Sequence, residues 1–242
     1  MLQFIMLCVV GFPNATGVYT PMFTEVPAIR ASAAPGVLLN DIDSHMPRGH
    51  IFSSTNLITW AHETTHGINA DVRNVYMRSH AGQYNAFYVT GNKSVIVKDP
   101  DGSIADVIAK MPKWLQDSTF QNYKDRYKEW NDRPLYICDE WSAYTNGLAV
   151  QVEMRIDQNL EGNHAVHMGL MSLVMMWALQ ADDTQLQAYI AWNWERVISL
   201  LPPSHSGEGM LANFRHSDDS AELRNFVRGR FGNAWAEEVF GF

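Results

Sequence analysis

A chain of 242 residues that is 46% hydrophobic and 18% charged has the apolar material to bury one core, which excludes the disordered and low-complexity classes. Its 26 acidic against 18 basic side chains, a formal charge of −8, leave no basic stripe for a phosphate backbone; nucleic acid is excluded as the expected partner, and a neutral or cationic substrate is favoured. The two cysteines, Cys8 and Cys138, cannot build a disulfide framework, and neither stands in a Cys-x-x-Cys pair.

In chain order, the run Leu2-Gln3-Phe4-Ile5-Met6-Leu7-Cys8-Val9-Val10 lacks the Lys or Arg flank of a signal peptide and reads as a buried strand. The alternative is the remnant of an export signal, which would place the protein outside the cytoplasm; the compartment stays open between them. Pro13, Pro21, Pro27, Pro35 and Pro47 break up residues 1–50, and the β-rich stretches 17–26 and 37–39 predict strands of a small sheet. Ser53, Ser54 or Thr55 can cap a helix running to about Asn74, on which Leu57, Ile58, Ala61 and Ile68 recur near helical spacing. Residues 85–90 and 93–98, joined by Gly91-Asn92, predict a β-hairpin. Asp99-Pro100-Asp101-Gly102 lacks the spaced acids and closing Glu of a calcium loop and reads as a turn.

Beyond residue 104 the pattern is helical, with segments near 104–110, 114–130, 134–156, 164–180, 183–201 and 218–239. The apolar run 168–179 is shorter than the roughly 20 residues that a bilayer needs, so it predicts a core helix and no membrane span. No linker divides the chain; the nearest is the loop 202–207. The expectation is an α+β, mainly helical fold in one domain over residues 1–242. Residues 1–110 would form a sheet and motif-helix lobe, and 111–242 a helical lobe.

The chemistry centres on His62-Glu63-Thr64-Thr65-His66. On a helix, residues four apart stand one turn above each other, so His62 and His66 can present two imidazole nitrogens to one ion at about 2.0–2.1 Å. Glu63 then lies beside the ion and can act as general base toward a water molecule whose pKa the cation lowers.

A catalytic zinc needs a third protein donor. The extended metzincin pattern fails, because Asn69 and Val72 stand where its Gly and third His would be. The better source is a helix opened by Pro134, on which Tyr136, Glu140, Ala143, Tyr144 and Gly147 form one stripe. Ala143 and Gly147 permit close approach to the motif helix while Glu140 reaches the metal, with Asp139 as the fallback donor. Tyr136 or Tyr144 could hydrogen-bond a developing oxyanion, and the alternative for each is a packed aromatic ring. His164 and His167 read as an ordinary helix face with metal binding as the alternative. His205 reads as a solvated loop residue.

These residues resemble the gluzincins, zinc peptidases that combine His-Glu-x-x-His with a downstream Glu on another helix. The resemblance covers His62 to His66 and the Glu140 helix, and residues 50–147 loosely. A tyrosine near the third ligand is similar to the arrangement of the anthrax lethal-factor catalytic domain group. The resemblance implies a zincin-like fold with Zn2+ held by His62, His66 and Glu140, Glu63 as base and Tyr136 assisting the oxyanion. It departs from the pattern in the 74 positions between His66 and Glu140 and in the closeness of Tyr136 to Glu140.

The expected activity is hydrolysis of a peptide bond in a peptide or protein substrate, as an endopeptidase rather than an exopeptidase, with substrate extended along an edge strand near the cleft. The alternatives are a zinc hydrolase of a non-protein amide and an inactive metal-binding relative; retention of Glu63 argues against the last. Sequence sets neither specificity nor oligomeric state.

Overall fold

A computed structural model of the chain describes residues 19–117, 120–121, 124–125, 127–156, 160–202 and 207–242. The N-terminal apolar run with Cys8, and His205, lie outside the described residues. The described part is α+β and mainly helical.

The motif helix is α2, Leu57–Met77. Its cap is Asn56, one residue beyond the three predicted hydroxyls: Asn56 Oδ1 accepts from the amides of Ile58 (3.0 Å) and Thr59 (3.3 Å). An Asn at this position satisfies two of the four amides that a helix start leaves without partners.

The sheet has three antiparallel strands, β1 Phe23–Glu25, β2 Tyr84–Tyr88 and β3 Lys93–Lys98, in the order β1-β3-β2. The hairpin is as predicted in place, with Tyr88 opposite Ser94 and Tyr84 opposite Lys98. Its turn takes one more residue than Gly91-Asn92, because Thr90 (φ 66°), Gly91 (φ 66°) and Asn92 (φ 60°) are all left-handed. The Gly91 amide donates to Asp41 Oδ2 (3.0 Å), which braces the turn from outside the sheet.

That brace comes from α1, Val37–Ser44, where a strand was expected at 37–39. The Val-Leu-Leu run carries β propensity, but Glu153 overrides it: its carboxylate accepts from the amides of Val37 (2.7 Å) and Leu38 (2.9 Å). A cap supplied from 116 positions away leaves no local trace. Among the described residues of the stretch 17–26, the strand is β1.

The helical part comprises α3 Ile104–Ala109, α4 Tyr136–Glu153, α5 Leu160–Ala178, α6 Thr184–Leu200, α7 Glu208–His216, α8 Ala221–Phe231 and α9 Asn233–Phe240. Sequence periodicity located α3 to α6 and missed α7. The predicted helix 218–239 is divided at Gly232 (φ 87°) into α8 and α9. Within 114–130 the described residues include short 3₁₀ turns at Lys113–Leu115 and Tyr127–Trp130.

The main core is continuous from the sheet into the helices, joining Phe87, Val95 and Val97 to Trp141, Met171, Tyr189, Trp194 and Trp235. Burying each such side chain contributes about 1.5–3 kcal/mol. The apolar run 168–179 lies in α5 up to Ala178, and no helix among the described residues is long and apolar enough to cross a membrane. Close packing there depends on Gly169, where an added Cβ would stand 2.6 Å from Trp194 Cζ2 and 3.0 Å from Trp141 Cε2.

Candidate metal centre

Helices α2 and α4 run antiparallel in contact. Thr65 Oγ1 accepts from Asn146 Nδ2 (3.2 Å), Asn69 Nδ2 donates to Ser142 Oγ (2.8 Å), and a Cβ on Gly147 would meet Ile58 Cγ2 at 3.6 Å. Strand β2 is fastened to the helix pair by two amides: Asn69 Oδ1 accepts from the Tyr88 amide (2.6 Å), and Asn146 Nδ2 donates to the Tyr88 carbonyl (2.9 Å). At Tyr88, therefore, the outward backbone groups of β2 already have side-chain partners. An edge position whose N–H and C=O are both taken cannot pair with an added strand.

On an adjoining face of α2, His62 and His66 meet Glu140 of α4. Their nearest atoms form a triangle: His62 Nε2 to His66 Nε2 is 3.2 Å, His66 Nε2 to Glu140 Oε2 is 3.6 Å, and His62 Nε2 to Glu140 Oε2 is 3.7 Å. Tetrahedral bonds of 2.0–2.1 Å would set such edges at about 3.3–3.4 Å, so the triangle is the right size for one divalent cation. Among the described residues it is the only group of three or more metal-binding side chains that converges in this way.

The surroundings fit that use. His66 Nδ1, on the far side of the ring, shares a hydrogen bond with Asp139 Oδ2 (2.6 Å), and Asp139 Oδ1 accepts from Asn69 Nδ2 (2.6 Å). A carboxylate on the distal nitrogen fixes the tautomer that turns the other nitrogen inward. Asp139, the fallback donor, therefore stands behind the triangle and holds a ligand in place. His62 Nδ1 faces Glu161 Oε2 of α5 at 3.9 Å, and both atoms are buried without a hydrogen-bond partner. Gly147 makes room for that carboxylate, since a Cβ there would stand 2.8 Å from Glu161 Oε2. Tyr136 donates to the second oxygen of Glu140, Oε1, at 2.7 Å.

Burial, reinforced by the charge of His66, pushes the His62 imidazole down to about 3 and keeps it neutral. Burial alone would raise the Glu140 carboxyl, but the hydrogen bond and charge of His66, the charge of His62 and the Tyr136 hydroxyl hold it at about 2. Burial opposes protonation of His66 too; the Asp139 charge and hydrogen bond, with Glu140, outweigh it and raise His66 well above its ordinary value. Burial, and then the charge of Glu63, raise Glu161 to about 7.

Glu63 is half-buried and outside the triangle. With His66, Ala70, Arg73, Trp130, Tyr136 and Asp139 it lines a cleft of about 300 Å³. Tyr136 thus touches both Glu140 and the cleft, while the Tyr144 ring packs on His62 (centroids 4.3 Å) and His164 (4.8 Å). Burial lowers the pKa of His164, against the charges of Asp117 and Glu140. His167 is buried with Nδ1 3.5 Å from Asp117 Oδ2 and is not part of the converging group.

Sequence reasoning missed Asn69, Glu161 and His50. Asn69 lies one turn beyond His66, a position that only the partner helix reveals as significant. His50 fills the space behind Gly67, where an added Cβ would stand 2.8 Å from its Nδ1. Burial lowers its pKa, against the charge of Glu63.

No family model, no curated protein and no solved structure matches the chain.

Proposed function

We propose that the chain is a zinc-dependent hydrolase of peptide bonds, with His62, His66 and Glu140 holding the ion and Glu63 serving as general base. The observation that carries this reading is the convergence of buried His62 and Glu140 with half-buried His66, donors brought together from two separate helices, beside a cleft that also contains a carboxylate. Two imidazoles and one carboxylate suit zinc among the common divalent ions, and three donors leave a position open. Such an ion lowers the pKa of water and polarises a carbonyl.

Glu63, next to a ligand and outside the ligand set, takes the proton from the attacking water and delivers it to the leaving amine. Asp139 orients the His66 imidazole through its hydrogen bond, and Glu161 faces the distal nitrogen of His62. Tyr136 holds Glu140 through Oε1 and borders the cleft, from where its hydroxyl can also turn to an oxyanion. The zincin-like fold of the gluzincins is the architecture this reading implies, and helices α2 and α4 are the part of it that supports the reading here.

The test pairs metal analysis with Glu63→Gln. The chain is expected to carry one zinc per molecule and to cleave peptides from a mixed library. The variant should keep the zinc and lose activity by about 10²–10⁴-fold, the contribution of a positioned base. A wild-type chain that cleaves no library peptide, or a variant that cleaves as well as the wild type, refutes the proposal.

A further inference from the structure

The cleft beside the centre contains a guanidinium that the hydrolytic step does not use. Arg73 lies two turns beyond His66 on the same face of α2, with only the small Ala70 between them along the lining. Its Nη1 donates to Asn85 Oδ1 (3.3 Å), and Asn85 Nδ2 donates onward to Asp99 Oδ1 (3.2 Å). A neutral amide thus holds the guanidinium, with the Asp99 carboxylate one hydrogen bond further on. Arg73 forms no ion pair with any carboxylate among the described residues.

Asp99, one hydrogen bond further on, feels the charge of Arg73 without pairing with it; of the two acids in the same lining, Asp139 is engaged by His66 and Asn69, and Glu63 is the proposed base. Part of the remaining lining is aromatic, with Trp130 and Tyr136 stacked at 4.8 Å and the Arg133 guanidinium 5.8 Å from the Trp130 ring. A cleft of about 300 Å³ that combines a guanidinium held by a neutral amide, outside any ion pair among the described residues, with a flat aromatic wall suits a ligand with one anionic end and one apolar body.

We propose that Arg73 is a specificity-determining residue that binds a carboxylate of the substrate within about three residues of the scissile amide. The fork of Arg matches a carboxylate in two parallel hydrogen bonds, which a lysine cannot reproduce. The spacing follows from the helix: seven residues rise about 10 Å, and extended peptide covers about 3.3–3.6 Å per residue. The carboxylate comes from a free C-terminus or from an Asp or Glu side chain. This inference rests on the hydrolase reading for its biological meaning, but its chemistry can be measured without turnover.

The experiment is calorimetric titration of the full chain, zinc-loaded and metal-free, with two matched pairs of acetylated dipeptides. The first is Phe-Ala with a free C-terminus against its C-terminal amide; the second is Phe-Glu amide against Phe-Gln amide. The carboxylate member of one pair is expected to bind at least about tenfold more tightly, and the pair that discriminates identifies the source of the carboxylate. Arg73→Met should abolish the preference with zinc stoichiometry unchanged, and Arg73→Lys should keep a fraction of it. Zinc's own affinity for carboxylates survives in Arg73→Met, so a preference that persists there overturns the assignment, as does equal binding within both pairs. A chain that discriminates in this way yet cleaves no peptide refutes the hydrolase reading while Arg73 stands. A chain that cleaves without discriminating does the reverse.

Discussion

Replacing Asp139 by Asn isolates the group behind the metal centre, because the two side chains have the same shape. Asp139 accepts two hydrogen bonds at 2.6 Å, from His66 on one oxygen and from Asn69 on the other. An amide offers one oxygen and one NH2 group, so one of the two donors must face another donor. Asn69 cannot turn to relieve this, since its own oxygen holds the Tyr88 amide and its nitrogen also serves Ser142. A buried donor left without an acceptor costs about 1–3 kcal/mol, and loss of a carboxylate behind a ligating imidazole typically weakens metal binding by about 10–100-fold.

Proton release gives a second readout. Asp139 raises His66, so the metal-free chain at neutral pH carries a proton there that the ion must displace, whereas His62 at about 3 and Glu140 at about 2 have none to give up. Binding should therefore release one proton, and affinity should rise about tenfold per pH unit below the raised His66 pKa. In Asp139→Asn the largest of the groups that raise His66 is gone, so the release at neutral pH should fall. The assay is zinc titration against a competing chelator between pH 6 and 8, repeated by calorimetry in buffers of different ionisation enthalpy. Unchanged affinity in the variant, or identical proton release in both chains, refutes the role assigned to Asp139.

Two further outcomes follow. Gly169→Ala adds a methyl 2.6 Å from Trp194 and 3.0 Å from Trp141, both rigid and fully buried, so urea unfolding should show a loss of about 1–3 kcal/mol despite the better helix propensity of Ala. In the metal-free chain the pH dependence has two limbs. His66 is raised in the folded state, so its contribution is complete below about pH 6.5 and disappears as pH rises through the folded value. Glu140 is depressed, so its contribution is complete above about pH 4.5 and disappears as pH falls toward 2. Denaturant titrations of the metal-free chain should show both limbs, and zinc should remove the alkaline one.

What could be read from sequence was local. Two histidines four apart on a capped amphipathic helix, and a hairpin around Gly91-Asn92, announce themselves because their partners lie within a few residues. Glu140 was legible at one remove, since it shares a stripe with the small residues Ala143 and Gly147 that let α4 approach. The place of Asp139 behind His66 was not, because only the partner helix shows what stands beside the second acid. α1 was misread because its cap, Glu153, is distant in sequence.

The measurement that bears most directly on the centre is X-ray absorption of the purified chain titrated with zinc, alongside His66→Ala and Glu140→Ala. The structure predicts one ion per chain, with two imidazole nitrogens and carboxylate oxygen in its inner shell, and binding sharply weakened in each variant. A chain that binds no zinc, or variants that bind it with the wild-type spectrum, would show that His62, His66 and Glu140 do not form a metal centre.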